Sequence, residues 1–172
     1  MGFGPMRVRY RTPMPSRLLA IYLNDHLAGS TVAVELTRRS LKENAGGELG
    51  KVLRGLLSEL IEDQETLLQL MEELGVSRSK AKIAVAWTAE KLGRLKLNGQ
   101  IKGYSPLSRL LELEGLATGI EGKRSLWLSL AQIRDRNHRL RQVDLDALAD
   151  RALSQRLRLE PHRLAAAAEA LA

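Results

Sequence analysis

Residues 17–74 carry two apolar stripes of helical period, joined by Asn44-Ala45-Gly46-Gly47, and this pattern leaves few folds open. The first stripe reads Leu19, Tyr22, His26, Gly29, Ala33, Leu36, with spacings alternating between three and four. The second reads Leu49, Leu53, Leu56, Leu60, Asp63, Leu67, Leu70, Leu74. A repeat of this kind marks the seam of a helix that faces a partner. The link between the two is a helix-stop signal too short for anything but an antiparallel hairpin. Folding about it brings His26 and Asp63 to the same level, so a His and an Asp are expected to face each other inside the structure.

Composition agrees with helices. The chain of 172 residues is long enough to bury a core, and with 44% hydrophobic but only 3% aromatic residues that core must be aliphatic. The chain has no cysteine, which removes disulfides, thiolate ligands and a Cys nucleophile. No apolar run approaches the roughly 20 residues of a membrane span, and Met1–Pro15 lacks the apolar core of a signal peptide. A cytoplasmic protein with no membrane partner is the expectation. The net charge of +7 invites a nucleic-acid reading, yet residues 1–13 hold Arg7, Arg9 and Arg11 and no acid, so three of those charges sit in this stretch alone. Residues 1–15, rich in Gly, Pro and Arg, read as a loose basic arm, with Met6 and Met14 leaving room for a later translational start. Residues 16–172 read as one helical-bundle domain.

Within that domain, Ser16 caps a first helix running to about Asn44, and a second runs from about Glu48 to Leu74, stopped by Gly75. Ser77 reads as the cap of a shorter helix reaching about Leu97, with Ile83, Ala84, Trp87 and Leu95 on it. Ser105-Pro106 opens the next helix, which extends to about Ile133. After a polar, Arg-rich loop over Arg134–Val143, Asp144 caps the last helix. Pro161 lies inside it and predicts a kink or restart near Leu157–Pro161.

The shorter helix, about 30 Å long at 1.5 Å per residue, would return the chain to the end where the second helix began. The order is then up, down, crossover, down, up. This layout resembles the ferritin-like superfamily over residues 16–172: an all-α, ferritin-like up-down-down-up four-helix bundle with an additional helix in the long crossover. The resemblance implies a diiron centre built from two Glu and two Glu-x-x-His motifs. No Glu-x-x-His occurs in this chain. Position by position, the nearest candidates are Glu35 or Asp25-His26, Glu59 with Glu62, Glu112, Glu114 or Glu121, and Glu160 or His162. Glu35 and His26 fall on opposite sides of one helix, so the family's ligand set does not carry over. Ferritin-like bundles often pair, which makes a homodimer an expectation.

At mid-height the alignment of levels brings together a polar layer of His26, Asp63, Glu121, Lys123 and Gln155. Buried charges cost several kcal/mol each unless paired, so such a layer must be a connected network. Three readings compete for it: a His–Asp pair that fixes helix register, a small-molecule or cofactor cavity between helices, and a metal site made of His26, Asp63 and one of Glu59, Glu62 or Glu121. The cofactor, if any, is not specified by these residues. Gly115, Gly119 and Gly122 recur along the third long helix at about 1 kcal/mol each relative to Ala. Either a helix backbone or a ligand must approach that face.

Other signals are weak. Gly119–Ser125 has the look of a phosphate loop but lacks the first glycine and the preceding strand of a Walker motif. There is no Gly-x-Ser-x-Gly elbow. His138 reads as a solvated loop residue and His162 as a packing or capping one. Trp87 and Trp127 read as plugs between helices, Tyr22 as a hydrogen-bonding neighbour of His26. Functionally, the first expectation is a ferritin-like bundle without an intact diiron centre that is structural, partner-binding or small-ligand-binding. The second is a metal-dependent oxidoreductase or storage protein with a divergent carboxylate/His site. The third is nucleic-acid association through Arg7, Arg9, Arg11 and the Arg134–Arg141 loop.

Overall fold

Three of the four long helices begin at a residue whose side chain caps a free N–H group, and the second begins at Gly46 without one. In the computed structural model, which describes residues 16–79 and 104–172, the long helices are α1 (Arg17–Glu43), α2 (Gly47–Glu73), α3 (Pro106–Ala131) and α4 (Leu145–Leu171). Ser16 accepts from Leu19 N at 3.1 Å, Ser105 from Ser108 N at 3.1 Å, and Asp144 from Ala147 N at 3.0 Å, as their sequence positions predict. Short 3₁₀ turns at Arg134–Arg136 and Leu140–Gln142 join α3 to α4. The described residues form an all-α structure, and none of their helices is long and apolar enough to cross a membrane. The expected crossover helix with Trp87, and the arm with Arg7, Arg9 and Arg11, lie outside the described residues.

Three glycines are required by the backbone, the first being Gly47, which opens α2 in the left-handed region (φ 67°). At Gly75 (φ 71°) the chain leaves α2 through a left-handed residue, with Val76 N donating to Met71 O and Gly75 N to Glu72 O. At Gly50 the turn after α1 folds down so closely that a Cβ would lie 2.5 Å from the carbonyl oxygens of both Asn44 and Ala45.

Helix direction follows from which leucines share a core. One apolar cluster joins Leu23 and Leu27 of early α1 with Leu67, Leu70 and Met71 of late α2, Leu126, Trp127 and Leu130 of late α3, and Leu145 and Ala149 of early α4. The other joins Val34 of α1 with Leu53, Leu56 and Leu60 of early α2, Leu110, Leu113, Leu116 and Ile120 of α3, and Ala152, Leu159 and Ala166 of α4. Hence α1 and α4 point one way, α2 and α3 the other. α1 packs on α2 and α3, and α4 packs on α3 and on α2. The closely packed neighbours are therefore antiparallel, and each parallel pair lies across a diagonal.

The α2 stripe is buried as its spacing predicts, from Leu53 through Leu74. The α1 stripe is displaced. Its core residues are Leu23, Leu27, Val34, Thr37 and Ser40, while Leu19, Tyr22, His26, Ala33 and Leu36 are only half-buried and Gly29 is exposed. The heptad-like pattern in α1 belongs to the flank turned toward α3. Leu36 Cδ2 there lies 3.2 Å from where a Cβ on Gly115 would be. Pro161 does not restart α4, which is continuous from Leu145 to Leu171. The proline sits on the exposed side of the helix, as does Leu157, whose carbonyl it leaves without an N–H partner. Water can supply that missing donor.

Candidate functional site

Between the two apolar clusters, Asp63 is the hub. It sits on α2 at 3% exposure, where an unpaired carboxylate could not be tolerated. Lys123 of α3, 12% exposed, donates to its Oδ2 across the bundle diagonal, and Arg151 of α4 donates to Oδ1. Gln155, one turn on from Arg151, donates Nε2 to Oδ2 at 3.3 Å and accepts from Lys123 through Oε1. Arg151 is also 3.1 Å from Glu62, and Arg158 closes the row by pairing with Glu59. Burial pulls the Lys123 ammonium below the usual lysine range, while attraction to Asp63 opposes the fall. The layer is connected and charge-matched, with Asp63, Lys123 and Gln155 brought together as the levels of the sequence indicated.

Two expected members behave differently. Glu121 is 44% exposed and pairs with Arg124 at 3.2 Å. Two residues before Lys123, it lies on the other side of α3, because residues i and i+2 do not share a helix face. His26 reaches the right level but is not among the partners of Asp63, whose two oxygens are taken by Lys123, Arg151 and Gln155. It meets Tyr22 edge to face instead, with ring centroids 4.5 Å apart and planes at 73°, rather than by the expected hydrogen bond. Burial lowers its pKa from the ordinary histidine value, against the pull of Asp25, so the ring is neutral at pH 7. Arg151 is the member that sequence reading missed. Its signal was the four-residue spacing from Gln155, which puts both on one face of α4.

Beside this layer, between α1, α2 and α3, lies a cavity of about 180 Å³. His26, Leu60, Asp63, Lys123, Leu126 and Trp127 are among its walls, and Gly29, Gly119 and Gly122 border it. The glycines split by role. Gly115 is held close by Leu36, whereas a Cβ on Gly119 would come no nearer than 3.9 Å to Ala33, and one on Gly29 or Gly122 would meet nothing within 4 Å. Close helix packing thus accounts for Gly115 alone. Trp127 is 0% exposed, the plug expected of it, but its Nε1–H has no hydrogen-bond partner among the described residues.

A second buried carboxylate lies at the far end of α3. Glu112 is 2.9 Å from Arg39 Nε and accepts from the Tyr104 hydroxyl at 2.9 Å; that hydroxyl accepts from Asn44 Nδ2 at 2.8 Å. Burial raises the Glu112 pKa above the usual carboxylate value, against Tyr104 and Arg39. These contacts tie the α1–α2 turn to the start of α3. They account for a charged residue that sequence reading considered only as a metal ligand.

A carboxylate-bridged metal pair does not fit the described residues. The carboxylates of the expected metal site are already committed: Asp63 to two cations, Glu59 to Arg158, Glu62 to Arg151, Glu121 to Arg124. Two fixed cations beside Asp63 would repel an incoming metal ion. Among the described residues no three His, Asp or Glu side chains converge as a ligand group. His138 is exposed on the turn after α3, and His162 is half-buried on α4 away from the cavity. In the Arg-rich turn, Arg134 pairs with Asp146 and Arg141 with Asp135, and Arg139 donates to Glu73 O, so these cations serve the protein's own acceptors. No family model matches the chain, and neither does any curated protein or solved structure.

Proposed function

We propose that this chain is a ferritin-like bundle that works without a diiron centre, by holding a small organic molecule in the cavity between α1 and α3. The antiparallel neighbours and diagonal parallel pairs support the ferritin-like arrangement. The observation that carries the function is the row of side-chain-free positions at the cavity. Gly29, Gly119 and Gly122 each cost helix stability of about 1 kcal/mol relative to Ala, and their missing side chains are not needed for close packing. Space retained at that expense suits a site that admits something. The Asp63 layer is then the floor that keeps α2, α3 and α4 in register beneath it.

The test is benzene, a probe that enters dry apolar cavities of about 150 Å³. Native protein should melt at a higher temperature in benzene-saturated buffer, because a ligand that binds only the folded state stabilises it. Gly122→Leu, which fills the space, should melt at the same temperature with and without benzene. If benzene leaves the native melting temperature unchanged, the proposal fails.

A further inference from the structure

α4 carries apolar stripes on two opposite sides, and only the inner one has a partner among the described residues. Ala152, Leu159 and Ala166 form that inner stripe, buried in the core with leucines of α2 and α3. The outer stripe runs Leu157, Pro161, Leu164, Ala168, Leu171, with spacings alternating between four and three, and every member is exposed. Its three leucines are 59%, 54% and 72% exposed. Single exposed leucines need no explanation, but leucine at every seventh position of one helix is the spacing of a coiled-coil seam. The seam itself holds no charge. Arg158 and Glu169 stand on one flank and Glu160 and Arg163 on the other, each paired within the protein.

We propose that the outer face of α4 binds a second copy of this chain, the two α4 helices lying antiparallel. The inference goes beyond the cavity and does not depend on it. The seam is complementary to itself in shape. With the two-fold axis passing between residues 162 and 163, Leu157 meets the partner's Ala168, Leu164 the partner's Pro161, and Leu171 the partner's Ser154. Every leucine is then set against a smaller residue, the arrangement that lets two helix surfaces interdigitate. A parallel pairing would set Ser154, Pro161 and Ala168 against their own copies and leave voids. The antiparallel register is complementary in charge as well. It brings Arg158 and the partner's Glu169 to within about 3 Å of the same level on one flank, and the symmetry repeats the pair. Both side chains are about half exposed, at 46% and 51%, and so can turn toward a second molecule. One helix pair about 26 Å long is a small interface, so the dimer is reversible and forms as concentration rises.

Sedimentation of the full chain from about 1 to about 500 µM, a range suited to a small interface, should show the 19.1 kDa chain passing into a dimer. Leu164→Arg, which places a charge at the centre of the seam, should raise the dissociation constant about tenfold or more. Its melting temperature in dilute solution should stay at the native value, because the side chain is exposed in the single chain. The chain has no cysteine, so cross-linking reads the register cleanly. Under mild oxidation the double variant Leu157→Cys, Ala168→Cys should form a covalent dimer. Neither single variant should, because antiparallel packing holds each position about 16 Å along the axis from its own copy, and residues 157 and 168 of one chain are equally far apart. A native chain that stays monomeric throughout overturns the proposal and leaves the seam to a different protein. A dimer that Leu164→Arg leaves intact also overturns it, as do single-cysteine variants that cross-link as readily as the double one.

Discussion

Replacing Asp63 by asparagine removes one negative charge from the centre of the bundle while keeping the shape of the side chain. Lys123, 12% exposed, would then face a neutral amide, as would Arg151, which is 32% exposed and keeps Glu62 at 3.1 Å. Breaking a buried pair by removing one partner costs about 3–5 kcal/mol. Because Arg151 is partly solvated and retains a carboxylate, the lower end of that range, about 3 kcal/mol, is the expected loss at pH 7. Adding Lys123→Met removes the stranded cation and should restore about 2 kcal/mol of it, leaving mainly the cost of under-paired Gln155. Urea unfolding of the native chain, both single variants and the double variant gives the coupling energy. In the Asp63→Asn variant Lys123 has lost the anion that held its pKa up, so its folded value falls further below its unfolded one. The unfolded state then binds more protons, and stability should rise with pH from neutrality toward the unfolded lysine value near 10.5. Additive single variants, or an Asp63→Asn cost under about 1 kcal/mol, would show that the layer is not an electrostatic unit.

Two glycines should respond in opposite senses to alanine. Gly122→Ala places a Cβ in open space and should stabilise by about 1 kcal/mol through helix propensity, whereas Gly50→Ala drives a Cβ to 2.5 Å from two backbone carbonyl oxygens and should destabilise; equal melting temperatures for the pair would contradict the geometry. His26 titrates below its ordinary value because burial disfavours the charged ring. Its contribution is therefore fully present above pH 6.5 and is lost as pH falls through the folded value, so His26→Gln should flatten the stability profile just below pH 6.5, and a profile identical to native would count against the burial argument.

How much of this could be read from the chain depended on how many neighbours each helix has. α2 presents its leucine stripe to the core at regular spacing, and Leu53 to Leu74 were legible one by one. α1 shares its surface between α2, α3 and the cavity, so the visible repeat marked a flank while the core lay along Leu23, Leu27 and Val34. Level counting along parallel helices found Asp63, Lys123 and Gln155 because it uses only the helical rise. It could not separate Lys123 from Glu121 without attending to angle around α3, nor could it see Arg151 from one turn away. The buried Asn24, which donates to Ser77 O at 3.1 Å and accepts from Ser79 N at 2.6 Å, had no signal in periodicity at all. It is a link between α1 and the segment leaving α2, and such links are fixed by the tertiary path of the chain.

The diagonal contact between Asp63 and Lys123 also orders events in time. Each hairpin, α1 with α2 and α3 with α4, closes through contacts that are near in sequence and can form quickly. The carboxylate belongs to the first hairpin and its three partners to the second, so every bond to Asp63 waits for the two halves to meet. Sliding one hairpin by a single turn would set Asp63 against Gly119 or Trp127, neither of which offers a cation. Encounters in the wrong register thus strand a dehydrating carboxylate and fall apart, and the chain reaches its native pairing by rejecting the others.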